Sequence, residues 1–280
     1  MSLVLSVLSC FVRLFFGFLL LAVLTLILDG PDAFRIGRKT LISCILLGIV
    51  CQGVFNMLYS MSISMNGMSV ASVLLYTAPV FTGIASALLF KEKLNLLKTA
   101  ALLINVFGCA LMATGGDLSG AAFVPLGLLI GVGAGFTYAM TAVFGKIAMQ
   151  EDSSPLAVAA YNLFFGCVFI ALARRPWLTV ENPFNTRFLL IGLLFGLVAT
   201  ALAYAFYFSG LSRISQASKV PVVASVELIV AAVIGAAVFD ERVTVIKITG
   251  ILLVILSILL FSKKSCFRQS RSTDKENRQR

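Results

Sequence analysis

Two charges fall deep in apolar sequence: Glu227, inside 217–239, and Arg13, inside 4–28. Glu227 is the eleventh residue of its run, close to where the middle of a bilayer would fall. An ionised side chain at that depth costs at least ~2.5 kcal/mol on insertion scales. A carboxylate so placed must face a cavity, pair with a cation or carry a proton. Two readings stay open for it: recognition of a substrate amine or proton coupling, and an inter-helix hydrogen bond that fixes packing. Arg13 lies nearer one end of its run, where a long stem carries the guanidinium toward the interface. Snorkelling or a structural role therefore stands ahead of substrate contact for Arg13.

Polar aromatics and amides form a second set: Tyr59, Tyr76, Tyr138, Tyr161, Tyr204 and Tyr207, with Asn56 and Asn162. Hydroxyls and amides in a lipid-embedded chain need partners, so these residues look inward. Asn56 and Tyr59 lie three apart on one helical face, as do Tyr204 and Tyr207. The candidate substrate-binding residues are thus Glu227, Asn56, Tyr59, Tyr76, Tyr161, Tyr204 and Tyr207, with core packing as the alternative for each. The chain has no histidine, which removes His-ligated metals, Ser-His-Asp triads and histidine proton relays. The six cysteines form no CxxC pair, so neither a zinc site nor a disulfide framework is indicated. Gly127, Gly131 and Gly135 recur every four residues and are followed by Ala139. They read as a stripe for close helix approach rather than a phosphate loop, since no GK[ST] follows. An intramembrane enzyme would need paired aspartates, a metal cluster or a nucleophile with its base, and none is visible. No catalytic residue, metal or cofactor is expected.

The elements that carry these residues follow from composition. Of 280 residues, 60% are hydrophobic and only 12% charged, with a mean hydropathy of +1.03. A soluble surface of this size takes about 25% charged residues, so the class is an all-α membrane protein. A helix needs about 20 apolar residues to cross the hydrocarbon core. That ruler predicts nine spans: 4–28, 40–62, 69–90, 96–114, 124–146, 155–173, 188–210, 217–239 and 244–261. Charged or Gly/Pro turns separate them, and 174–187 is long enough for an interfacial excursion anchored by Trp177.

The chain also matches itself at an offset of 149. That shift pairs Glu92 with Glu241, Ser60 with Ser209, Ser69 with Ser218, Phe90 with Phe239 and Lys98 with Lys247. It carries spans 1 to 4 onto spans 6 to 9 and leaves 124–146 without a mate. The expected architecture is therefore five plus five, with nine helices visible of ten. An odd number of helices separates the repeats, so the halves are inverted, a signature of secondary transporters.

The residues resemble a known family. Ala78-Pro79-Val80-Phe81 followed by Leu88 to Leu94 looks like the fourth-helix signature of EamA-type members of the drug/metabolite transporter superfamily. So does Val226-Glu227-Leu228 followed by Val238 to Val243, although Leu228 replaces a common proline. Phe11-Val12-Arg13-Leu14 is similar to the start of that family's second helix, and Val106-Phe107-Gly108-Cys109-Ala110 fits its closing helices. The resemblance implies repeats over 1–114, without the first helix, and 124–261, then a basic tail over 262–280. It implies a carrier of small organic metabolites such as amino acids or amines in the plasma membrane. The alternative is a truncated, transport-inactive paralogue with a structural or assembly role. The expected partners are a small-molecule substrate and membrane lipid, with no nucleic acid; the sequence sets no oligomeric state.

Positive charge gives the orientation. With Met1 outside, sixteen Lys and Arg fall on the cytoplasmic side, seven of them in 263–280, against five outside. Residues 263–280 are accordingly cytoplasmic. An impermeant thiol label applied to intact cells should leave Cys266 unmodified, and labelling from outside would reverse the topology.

Overall fold

The computed structural model describes residues 3–92, 95–116, 123–151, 153–174, 186–214, 216–238 and 244–277. Trp177, Lys93 and the turn Asp240-Glu241-Arg242 lie outside these, as does the side chain of Cys266. The described residues form helices and short connections. The spans are α1 (Leu3–Leu28), α2 (Arg38–Asn66), α3 (Met68–Leu89), α4 (Leu96–Thr114), α5 (Pro125–Ala148), α6 (Pro155–Arg174), α7 (Leu190–Arg213), α8 (Ala217–Val238) and α9 (Val245–Asn277). All nine apolar runs of the sequence are helices. Eight are long and apolar enough to cross a membrane, and the apolar part of α9, Val245–Phe261, is shorter.

Four of these helices are irregular, and they are irregular in pairs. Helix α2 carries a π segment over Leu47–Val54, and α7 carries one over Gly196–Leu202. Their first residues stand 149 apart, the offset of the sequence repeat. Helix α3 breaks at Tyr76–Thr77, and α8 breaks at Ser225, again 149 after Tyr76. The causes differ. Pro79 starts the second half of α3 and lacks the N–H that would bond Leu75, so the ladder parts just before it. Its counterpart in α8 is Leu228, whose N–H bonds the Ser225 carbonyl at 3.1 Å. There the break sits at a serine instead. Ser225 Oγ donates back to the Val222 carbonyl at 2.6 Å and accepts from Asn105 Nδ2 at 2.8 Å.

Small residues set the helix crossings, as expected where lipid supplies no hydrophobic drive between helices. A Cβ at Gly17 of α1 would meet Thr200 Cγ2 at 2.7 Å, in the π segment of α7. Gly166, 149 further on in α6, would meet Gln52 Cβ at 2.7 Å, in the π segment of α2. Helices α1 and α7 run parallel, because Val12, Phe16 and Gly17 meet Gly192, Gly196 and Thr200 in order. The stripe in α5 lies against α2 and α3: Gly127 abuts Asn66, Gly131 abuts Ser62 and Leu74, and Gly135 abuts Thr77. The core between these helices holds Leu14, Val143, Leu163 and Phe208, all fully buried.

Helices α4 and α9 cross backbone on backbone. A Cβ at Gly108 would lie 3.0 Å from the Gly250 carbonyl oxygen, and one at Gly250 would lie 2.8 Å from that of Gly108. Neither neighbour can yield as a flexible side chain would. Gly108→Leu should therefore cost about 1–3 kcal/mol and lower the melting temperature in detergent. Gly210, with nothing within 4 Å, should accept alanine without loss. Wild-type melting of Gly108→Leu would show that this crossing is not made.

Candidate functional site

The broken helices bring the sequence candidates together. Tyr76, at the break of α3, donates from its hydroxyl to Glu227 Oε1 at 3.3 Å. Glu227 stands two residues past the break of α8, in the first turn of Val226–Val238, where a carboxylate also complements the helix dipole. One hydrogen bond thus ties the discontinuity of one half to that of the other. Glu227 as a residue is exposed rather than sealed within the cluster.

Aromatic rings continue the site inward. Tyr59 Oη and Ser72 Oγ share a hydrogen bond at 3.2 Å, and the Tyr59 ring stacks on Phe55 at 5.6 Å. Phe55 in turn meets Tyr138 of α5 at 5.4 Å. Tyr138 lies near Glu227, Tyr207, Tyr204 and Tyr76, so these five groups share one neighbourhood. Gln52 Nε2 donates to the Tyr204 hydroxyl, joining the π segment of α2 to α7. Tyr204 and Tyr207 both pack on the buried ring of Phe208, at 6.2 and 5.4 Å.

Of the seven candidates, Glu227, Tyr59, Tyr76, Tyr204 and Tyr207 therefore converge. Asn56 turns aside: its Nδ2 donates to the Gln52 carbonyl at 2.7 Å, and the residue lines a separate cavity of about 430 Å³ together with Arg13. Tyr161 is elsewhere, at the membrane end that holds the α1–α2 connection. Its hydroxyl donates to the Phe34 carbonyl at 3.0 Å.

Three residues of this neighbourhood were not singled out as site residues from the sequence. Tyr138 was visible only as one inward tyrosine among six. Gln52 has a sequence signal, since it precedes Asn56 by one helical turn on the same face. Asn105 has one too: a lone amide mid-span needs a partner. It is fully buried and donates through Nδ2 to Ser225 Oγ at 2.8 Å and Ser257 Oγ at 2.9 Å.

The same end that holds Tyr161 is laced shut by polar bonds. The turn that carries Glu92 reads in the sequence as a charged turn at a membrane end, and in the structure Glu92 caps a backbone. Its carboxylate accepts from the Ala217 N–H at 2.8 Å and from the Ser218 hydroxyl. Lys98 Nζ donates to Gln216 Oε1 at 3.0 Å, and Lys146 Nζ donates to the Ile214 carbonyl. Each contact joins the start of α8 or its approach to another helix. Among the described residues the one ion pair within bonding distance is Arg35–Asp32, at 3.1 Å and exposed on the surface, where such pairs contribute little. No group of three or more Cys, Asp and Glu stands ready to hold a metal among the described residues.

The EamA-like transporter family matches residues 2–114 and 125–263, and the chain belongs to that family. A protein of Archaeoglobus fulgidus named as an uncharacterized transporter is 30% identical over 254 residues, 89% of this chain and 84% of its own. YoaV of Bacillus subtilis, also named as an uncharacterized transporter, is 27% identical over 228 residues, 80% of this chain and 75% of its own. A solved crystal structure shares the fold at a TM-score of 0.72, with 14% identity over 91% of this chain and 86% of the other. The protein is an integral multi-pass membrane protein of a transporter family.

Asn105 underpins the break that presents Glu227. Asn105→Leu removes the donor shared by Ser225 and Ser257 and should cost about 1–3 kcal/mol, read as a lower melting temperature in detergent. A variant that melts like the wild type would leave the break dependent on Ser225 alone.

Proposed function

We propose that this member of the EamA-like transporter family is a secondary carrier for small organic metabolites bearing an amine, such as amino acids or amines. Glu227 meets the cationic group, and Tyr59, Tyr76, Tyr204 and Tyr207 line its path. The observation that carries the reading is the Tyr76–Glu227 hydrogen bond. It places the carboxylate where two repeat-related helices are discontinuous, the arrangement by which inverted-repeat carriers build a midplane site. A cation arriving at Glu227 takes over the partner role of the Tyr76 hydroxyl, so binding and the contact between the halves are coupled. The end closed by Glu92, Lys98 and Lys146, with a cavity toward the opposite end, suits one state of an alternating-access cycle.

We also assign the repeats to 1–114 and 124–261 and the basic segment 262–280 to the cytoplasm, with the protein in the plasma membrane. The charge asymmetry supports that orientation.

Flux into proteoliposomes tests the carrier reading. Glu227→Gln keeps the shape and removes the charge. It should reduce uptake of radiolabelled isoamylamine at least about tenfold, at normal protein incorporation. Unchanged kinetics in the Gln variant would make Glu227 a packing residue.

A further inference from the structure

Arg13 is the charge that the tyrosine cluster does not use. It sits five residues from the middle of the apolar window Leu8–Leu28, about 7.5 Å of helix rise. Among the described residues no carboxylate lies within ion-pair distance of Arg13. Glu227, the other intramembrane charge, is taken by Tyr76. Cys10, one turn earlier on α1, lines the same cavity as Arg13. Snorkelling or a structural role stood ahead of substrate contact for Arg13 in the sequence; in the structure the residue is half-buried. It lines the cavity of about 430 Å³ between α1, α2 and α7 with Asn56, Val12, Gly192 and Phe195. That volume suits a small molecule.

We propose that Arg13 and Asn56 form an anion subsite that takes the carboxylate of an organic substrate. The guanidinium presents a rigid fork of N–H donors that matches a carboxylate in two parallel hydrogen bonds. Asn56 spends one N–H on the Gln52 carbonyl, which fixes the amide at the cavity wall and leaves its other N–H for the ligand. Val12, Phe195 and Ile191 supply apolar walls, so the ligand pairs its carboxylate with an apolar body. Arg13 lies near Tyr204, and Tyr204 shares its neighbourhood with Tyr138 and Glu227. The anion subsite is therefore a separate cavity beside the tyrosine cluster that holds the carboxylate. The position 149 after Arg13 is Asn162, so the second half carries no equivalent charge and the subsite is single.

The inference rests on the carrier reading, and three probes with one carbon skeleton separate the two. Leucine carries both charges, isoamylamine only the cation, and 4-methylpentanoate only the anion. Binding is measured by ligand-induced thermal stabilisation of the purified full chain in detergent. Leucine and 4-methylpentanoate should stabilise the wild type. Arg13→Gln should weaken both about tenfold or more and leave isoamylamine unchanged, which also reports that the variant is folded. Should Arg13→Gln not fold, Arg13→Lys carries the test, since it keeps the charge and loses the fork; unchanged affinity for both acids there overturns the subsite. Equal acid affinity in Arg13→Gln overturns it as well and returns Arg13 to a lipid headgroup or structural role. Binding of the amine with neither acid sinks the subsite and leaves the carrier reading intact. No response to any probe overturns both.

Discussion

Hydrocarbon offers no partner to a polar group, and each irregularity of this fold is shaped by that constraint. A helix that breaks in the middle of a bilayer exposes backbone groups and must find partners for them within the protein. Helix α3 breaks where Pro79 has already removed a donor, so fewer groups are left without partners. Helix α8 breaks without a proline, and the cost is offset by side chains. Ser225 bonds its own turn, and Asn105 reaches across from α4 to hold that serine. The breaks then become sites: Tyr76 stands on one, Glu227 just past the other, and the two meet.

The repeat governs backbone shape more closely than it governs chemistry. Under one shift of 149 the π segments coincide, the breaks coincide, and Gly17 and Gly166 each press on the π segment of another helix. π segments recur at functional sites because the extra residue widens the helix and re-aims its side chains. Here one contains Gln52 and the other ends two residues before Tyr204, and those two side chains bond each other. The side chains at related positions diverge. Ala78 corresponds to Glu227, Asn162 to Arg13, and Ala201 to Gln52. Each half thus keeps one intramembrane charge of its own, at a position its mate fills with a neutral residue.

What the sequence made legible were the features with a length scale or a cost. Nine apolar runs became nine helices, eight of them of membrane-crossing length, and the glycine stripe of α5 became a packing face. Glu227 and Arg13 stood out because charge is costly in lipid. The π segments left no trace, since one extra residue per turn shifts hydrophobic periodicity too little to be seen in runs that are apolar all round. Three-residue spacing placed Asn56 beside Tyr59 on one face, yet it could not say which neighbour each would meet. Asn56 reaches Gln52 and the Arg13 cavity, while Tyr59 reaches Ser72. Tyr161 had the same credentials as the converging tyrosines, and only tertiary placement sends its hydroxyl to Phe34. Glu92 was legible as a charged turn but not as a cap, because its partners are N–H and hydroxyl groups of a segment 125 residues away.

A closed end and a cavity toward the other end give the molecule a direction. Among the described residues the closing contacts are hydrogen bonds that the Glu92 carboxylate accepts and that Lys98 and Lys146 donate, each to backbone or a neutral side chain. Each such bond contributes only about 0.5–1.5 kcal/mol net, or roughly 1.5–3 where one partner is charged. Water at the membrane end replaces most of that when the contact opens. A buried salt bridge in the same place would leave stranded charges on opening, at about 3–5 kcal/mol. In the proposed carrier, a latch of charge-to-neutral bonds at the wet end would keep open and closed states within reach of each other. The two intramembrane charges sit away from those bonds. That separation would let the differential affinity of a ligand, rather than the strength of the latch, decide which state is populated.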